Sequence, residues 1–188
     1  MNSALARDRA RLLELLTERS FERRKVVLSS GKESDFYIDC KRTALLAEGH
    51  FLIGRLLLDA IVREAPLAVG VGGLTLGADP IASAVSLTSY LAGTPVEAFI
   101  VRKEPKGHGT GQWIEGLSAL GQNAPVAIVE DVVTTGASTL KAIERAQSEG
   151  LKVLGAFALV DRLEGGREAV ESAGYRLFTL FNRKDFIP

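Results

Sequence analysis

Val126-Ala127-Ile128-Val129 runs directly into Glu130-Asp131-Val132-Val133-Thr134-Thr135-Gly136-Ala137-Ser138-Thr139, and most of the architecture can be read outward from this stretch. Apolar residues from Pro125 to Val129 ending in two acids read as a buried strand, and the apolar spacing from Ala137 to Glu149 reads as a helix. Gly150 stands where a helix C-cap glycine belongs, and Leu151 to Val160 is another apolar strand. Upstream, Leu67 to Val71 closed by Gly72-Gly73 reads as a strand. Ala78 to Leu91 follows as a helix with Asp79 and Pro80 in its first turn, then Val96 to Val101 as a strand. Downstream, Arg167 to Ser172 is a short helix and Tyr175 to Phe181 a last strand. Strands alternating with helices of about 10–15 residues predict an α/β fold, a central mainly parallel sheet flanked by helices.

Before this core, Leu5, Leu12, Leu13, Leu15 and Leu16 mark an amphipathic helix ending near Ser20. Val26 to Leu28 and Phe36 to Cys40 read as extended segments around a turn, and Ala44 to Arg63 as a helix holding His50 at its surface or boundary. Residues 1–43 are expected to form a small N-terminal hood of helix and strands over a core of residues 44–181, within one domain spanning 1–188.

The chain's 188 residues, 46% of them hydrophobic and 24% charged, have the balance of a globular protein rather than a disordered one. Its 23 basic and 23 acidic residues cancel, which argues against a broad nucleic-acid or anionic-membrane surface. Cys40 stands alone, so no internal disulfide forms, and a reducing cytoplasmic setting fits. No His or Asn is visibly paired with Cys40, which speaks against a catalytic thiol. Neither a secretory signal nor a membrane-spanning run is expected.

The chemistry concentrates at the predicted strand ends. Amides at a helix start lack intrahelical partners and carry the positive end of the dipole, so the loop from Val132 to Ser138 can cradle a phosphate. Gly136 permits close approach, while the hydroxyls of Thr134, Thr135 and Ser138 add donors. Glu130 and Asp131 would repel phosphate but accept hydrogen bonds from sugar hydroxyls. A phosphate and a diol a few ångströms apart describe a ribose 5-phosphate; the plainer alternative is an N-capped helix with two solvated acids. No Gly-Lys-Ser/Thr follows a glycine-rich loop, and Thr75 occupies the third glycine position after Gly70 and Gly72, so ATPase and dehydrogenase readings weaken.

Arg102-Lys103-Glu104-Pro105-Lys106-Gly107-His108-Gly109-Thr110-Gly111-Gln112 is a basic, glycine-rich loop, either a solvated hairpin tip or a lid over a pyrophosphate. His108 could donate a proton to a leaving phosphate oxygen, and Trp113 would anchor the loop's return. Arg162, after the strand ending at Val160, could grip a substrate carboxylate bidentately or form an ion pair with Asp161 or Glu164.

Taken together, these residues resemble the orotate phosphoribosyltransferases. Glu130 to Ser138 is similar to the phosphoribosyl-pyrophosphate signature of phosphoribosyltransferases in general. More specific are Ser30-Gly31-Lys32-Glu33-Ser34-Asp35-Phe36-Tyr37-Ile38-Asp39, Gly77-Ala78-Asp79-Pro80-Ile81, the loop from Arg102 to Gly109, and Asp161-Arg162 with Glu164-Gly165-Gly166. The resemblance extends from about Phe21 to Gly166 and implies a phosphoribosyltransferase-like fold.

It also implies transfer of the phosphoribosyl group of 5-phospho-alpha-D-ribose 1-diphosphate to orotate, through an oxocarbenium-like transition state. Lys103, Lys106, His108 and Asp131 would then be catalytic, and Arg102 would join the three loop residues on the diphosphate. Glu130 and Asp131 would hold the ribose hydroxyls and Val132, Val133, Thr134, Thr135, Gly136, Ala137 and Ser138 the 5-phosphate. Orotate would meet Thr134, Arg162, Phe36 and Tyr37. Magnesium would ride on substrate oxygens, since the sequence offers no dense ligand cluster of its own. The resemblance implies a homodimer whose basic loop reaches the neighbouring site, with no nucleic acid or membrane partner.

Two positions depart from the pattern. Ser29 precedes the first Ser-Gly where some members carry lysine, and Leu74-Thr75-Leu76 lacks a lysine that some members carry there. Lys25, Lys32 and Lys41 are the nearby candidates to compensate. Transfer to another base, and a non-catalytic sensor of phosphoribosyl pyrophosphate, are the alternative readings.

Overall fold

The computed structural model describes residues 3–27, 33–105 and 112–187. Helix α1 (Ser3–Arg19) precedes a hairpin of β1 (Phe21–Val27) and β2 (Glu33–Ile38), then the short α2 (Lys41–Ala44) and the long α3 (Ala47–Glu64). The core continues through β3 (Gly70–Leu74), α4 (Asp79–Leu91), β4 (Glu97–Val101) and β5 (Ile114–Glu115), with a 3-10 turn at Leu117–Ala119. It ends with β6 (Pro125–Val133), α5 (Ala137–Ser148), β7 (Lys152–Asp161), α6 (Gly166–Ser172), β8 (Leu177–Asn182) and α7 (Arg183–Phe186).

The core sheet has the order β5-β4-β3-β6-β7-β8, and all its pairings are parallel except β4 with β5. That matches the expected α/β architecture, and the antiparallel β1–β2 pair supplies the expected hood. Alternation along the strands divides the core between the two faces. Ala127, Val129, Phe157 and Leu159 pack with α1, α3 and α4, whereas Val126, Ile128, Ala156 and Ala158 pack with α5 and α6. Both faces are covered, as a parallel sheet requires. Among the described residues no helix is long and apolar enough to cross a membrane.

Several boundaries differ from the sequence pattern, for physical reasons. Leu46 is extended (φ −78°, ψ 142°), so the helix expected over 44–63 is two, α2 and α3. β3 starts at Gly70 rather than Leu67 and takes in Gly72 and Gly73, which the pattern reads as closing the strand; they pair with Phe99 and Ile100 inside the sheet. β6 runs past its acids because β7 keeps pairing with it as far as Val133↔Asp161, although β3 stops at Gly72↔Ile128.

Candidate functional site

β3 leads through α4 to β4 on one side of the sheet, while its neighbour β6 leads through α5 to β7 on the other. Adjacent strands whose connections depart in opposite directions leave a crevice beyond their carboxyl ends, where ligands of α/β sheets bind. A cavity of about 280 Å³ occupies this crevice. Leu74, Thr75, Leu76 and Gly77 line it from the β3 side, and Glu130, Asp131 and Ser138 from the β6 side. Lys41 and Lys103 bring two cations to the same space. The Thr75–Leu76 peptide at its edge is cis, and the Thr75 hydroxyl donates to Asp79 Oδ2 at 2.7 Å.

A second cavity, of about 210 Å³, wraps the start of α5 and is lined by Glu130 and residues 132–139. The two share Glu130 and Ser138, so they are adjoining parts of one groove. Gly136 turns the chain into α5 with φ +81°, a conformation that glycine adopts without steric cost. Among the described residues no side chain caps this helix start, which leaves its first-turn amides to an outside acceptor such as phosphate.

The two acids lie on opposite faces of β6 by the strand's period of two. Glu130 points to the α5 side and is only 6% exposed; the Thr139 hydroxyl donates to its Oε2 at 3.4 Å. Burial first, and the charge of Asp131 second, push its carboxyl up to about 8, so it holds a proton near neutrality. Asp131 points to the other face, where its Oδ1 accepts from the Val132 amide at 2.9 Å. Gly77 makes room for it: a Cβ there would stand 2.5 Å from that same oxygen.

Lys41 is the candidate compensating cation that the structure brings to the groove. Its Nζ lies 2.6 Å from Asp39 Oδ1, and that hydrogen bond, supplemented by the field of Asp131 against some burial, raises its pKa. Lys32 lies outside the described residues, as does the side chain of Lys25. Beside Lys41, Cys40 is fully buried; burial, with Asp131 and Asp39 adding, pushes its thiol well up, which fits an inert packing residue.

The other expected residues divide. Lys103 lines the groove, but Arg102 turns aside to pair with Glu115 at 3.0 Å. Lys106 and His108 lie outside the described residues. Thr134 lines the cavity at the start of α5. Arg162 lines neither cavity: its Nη2 donates to the Phe36 carbonyl at 2.9 Å and pairs with Glu164 at 3.0 Å. The expected ion pair of Arg162 with Glu164 is thus present in the structure. The Phe36 ring is fully buried against Phe21 and Phe186, with centroids at 5.1 and 5.7 Å, and the Arg162 guanidinium that binds its carbonyl also lies 5.6 Å from its ring centroid. Tyr37 lies under the Arg24 guanidinium, 3.9 Å from the ring centroid. Among the described residues no group of three or more His, Cys, Asp or Glu is placed to hold a metal ion.

No family model matches the chain. An orotate phosphoribosyltransferase of Sorangium cellulosum is 53% identical over 188 residues, 100% of this chain and 97% of that protein. One of Aquifex aeolicus is 45% identical over 96% of this chain and 98% of its own length. Among solved structures, the Mycobacterium tuberculosis orotate phosphoribosyltransferase in complex with Fe(III) dicitrate superposes with a TM-score of 0.82 at 41% identity, covering 96% of this chain and 99% of that one. The same enzyme with 5-phospho-alpha-D-ribosyl 1-diphosphate gives 0.78 at 38% identity, covering 95% and 98%. With the groove lying where the sheet's connections diverge and full-length relatives at this level of identity, the chain belongs to the orotate phosphoribosyltransferase family.

Proposed function

We propose that this chain transfers the 5-phosphoribosyl group from 5-phospho-alpha-D-ribose 1-diphosphate to orotate, giving orotidine 5'-phosphate and diphosphate in de novo pyrimidine (UMP) synthesis. The observation that carries this reading is the continuity of the groove, with an anion cradle at one end, two carboxyls in the middle and two lysines at the other. Those are the charges of phosphate, ribose hydroxyls and diphosphate in order.

The amides and hydroxyls of residues 132–138 hold the 5-phosphate. Asp131 accepts from a ribose hydroxyl; Glu130, protonated near neutrality, can donate to one as well as accept. A ring nitrogen of orotate attacks the anomeric carbon while the bond to the diphosphate oxygen breaks, and the electron pair leaves with diphosphate. Lys103 and Lys41 stabilise that departing charge in a partly enclosed space, where fixed cations act more strongly than in water. Lys106 and His108 are assigned to the same task from sequence, with Arg102 behind them. Arg162, freed from Glu164, takes the orotate carboxylate with Thr134, close to Phe36 and Tyr37.

The carboxyl of Asp131 is a hard oxygen donor that fits magnesium bound chiefly through substrate oxygens and water. Bound, it would offset diphosphate charge.

The chain is also proposed to act as one domain and as a homodimer in the cytoplasm, its basic loop reaching the partner's site. An apolar cavity of about 880 Å³ between α3 and α4 supports the dimer. Leu45, Phe51, Leu87 and Leu91 line it while remaining largely exposed, a patch suited to a second copy.

The test mixes purified protein with orotate, the diphosphate donor and magnesium, and follows orotate absorbance together with diphosphate release. Matched, magnesium-dependent loss and release are expected. Release only with a different base would move Arg162 to another role; donor binding without turnover on any base would indicate a sensor.

A further inference from the structure

Arg145 sits in the last turn of α5, yet it is only 7% exposed. Its guanidinium leaves the helix and reaches the stem of the basic loop. Nη1 donates to the carbonyl of Arg102, and Nη2 donates to the carbonyl of Lys103 at 3.0 Å. The guanidinium carbon lies 3.8 Å from the Trp113 ring centroid, on the returning limb of the loop. Trp113 is fixed in turn, since its amide donates to Glu149 Oε1 at 3.0 Å and its carbonyl accepts from the Arg102 amide at 2.9 Å. One buried cation thus holds two consecutive carbonyls of the outgoing limb and the aromatic ring of the returning one.

We propose that Arg145 is a positioning residue, which fixes the backbone of Arg102 and Lys103 so that the Lys103 ammonium is delivered to the groove. The role assigned to Lys103 rests on the reading given under Proposed function; the clamp itself rests on the contacts above. The same helix that begins at the anion cradle thereby sets the cation at the other end of the groove. The spacing between the two ends is built into α5 rather than left to the loop. A planar guanidinium suits the task because its fork meets two carbonyls while its face stacks on an indole. Lysine could meet one carbonyl and would lose the stacked plane.

The experiment compares Arg145→Met, Arg145→Lys and Lys103→Ala, together with the Arg145→Met/Lys103→Ala double variant, in the full-length protein. Arg145→Met should raise KM for the diphosphate donor roughly tenfold, as expected when a coupled contact is lost, and leave KM for orotate unchanged. Arg145→Lys, the milder change in case Arg145→Met fails to fold, should fall between the two. In the Lys103→Ala background Arg145→Met should add nothing, because its effect passes through Lys103. Amide exchange across residues 102–104 should accelerate about tenfold in Arg145→Met without donor present.

Additive effects in the double variant, or equal changes in both KM values, would overturn the positioning role. Unchanged exchange across residues 102–104 would overturn the clamp whatever the kinetics. A Lys103→Ala protein with normal donor affinity would instead refute the diphosphate role of Lys103, and exchange alone would then decide whether Arg145 orders the stem.

Discussion

Glutamine at position 130 removes a charge whose cost can be worked out from its surroundings. The Glu130 carboxyl is pushed from 4.5 to about 8 by burial and by Asp131. Between those values the native protein binds more protons than the unfolded chain. The stability associated with this group is therefore fully present below about pH 4.5 and is lost as pH rises toward about 8. At about 1.4 kcal/mol per tenfold change in proton affinity the ceiling is about 5 kcal/mol, and relaxation with water entry brings the expected value to about 2–4 kcal/mol. Glu130→Gln keeps the shape and cannot ionise. The assay is urea unfolding followed through the fluorescence of Trp113, the chain's one tryptophan, for both proteins at about pH 5, 7 and 9. The stability of Glu130→Gln relative to the parent should improve by about 2–4 kcal/mol between the lowest and highest pH. A difference that stays constant with pH would refute the reasoning, since the carboxyl would then titrate alike in both states.

Two further perturbations probe other parts of the molecule. Gly77→Ala puts a Cβ 2.5 Å from Asp131 Oδ1 and forces that carboxylate to move; turnover should fall about 100-fold, as for a 1 Å misplacement, with little change in the urea midpoint. Steady-state kinetics beside an unfolding curve check this, and full activity would show that the position of Asp131 is unimportant. Leu91, 77% exposed on the apolar α3–α4 face, should when changed to Glu yield a folded monomer by sedimentation velocity. Unchanged sedimentation with native circular dichroism would exclude that face as the dimer contact.

The sheet was largely legible because each parallel strand is a short apolar run followed by helical spacing. What escaped was short or non-local. β5 has two residues, too few for any period. α7 has four, although Asn182 and Asp185 form a capping box whose Asn-x-x-Asp spacing was available as a signal. The continuation of β6 through Glu130 and Asp131 depends on β7 as a partner, which a charge pattern cannot express.

The site shows the same division. The anion cradle is one continuous segment and was legible for that reason. Lys41 was one of several possible cations until the hood placed it against the groove. Nothing in the sequence singles out Arg145, because the carbonyls it holds lie 43 and 42 residues earlier in the chain. The motif that carries Phe36 gives no sign of its packing, because the rings around it, Phe21 and Phe186, are supplied by other elements.

The fastening of the hood also bears on how the chain is made. Phe36 is held through its carbonyl by Arg162, 126 residues further on, and Asp35 is held by Arg183, 148 residues further on. A ribosome therefore releases the hairpin long before the arginines that secure it exist. Through most of synthesis Phe21 and Phe36 lack Phe186, which closes their cluster. The nascent chain can assemble its sheet strand by strand as it emerges, but the hood's aromatic cluster closes only when α7 has left the exit tunnel. Until then the exposed aromatic surface of the hairpin is what a holdase chaperone would recognise.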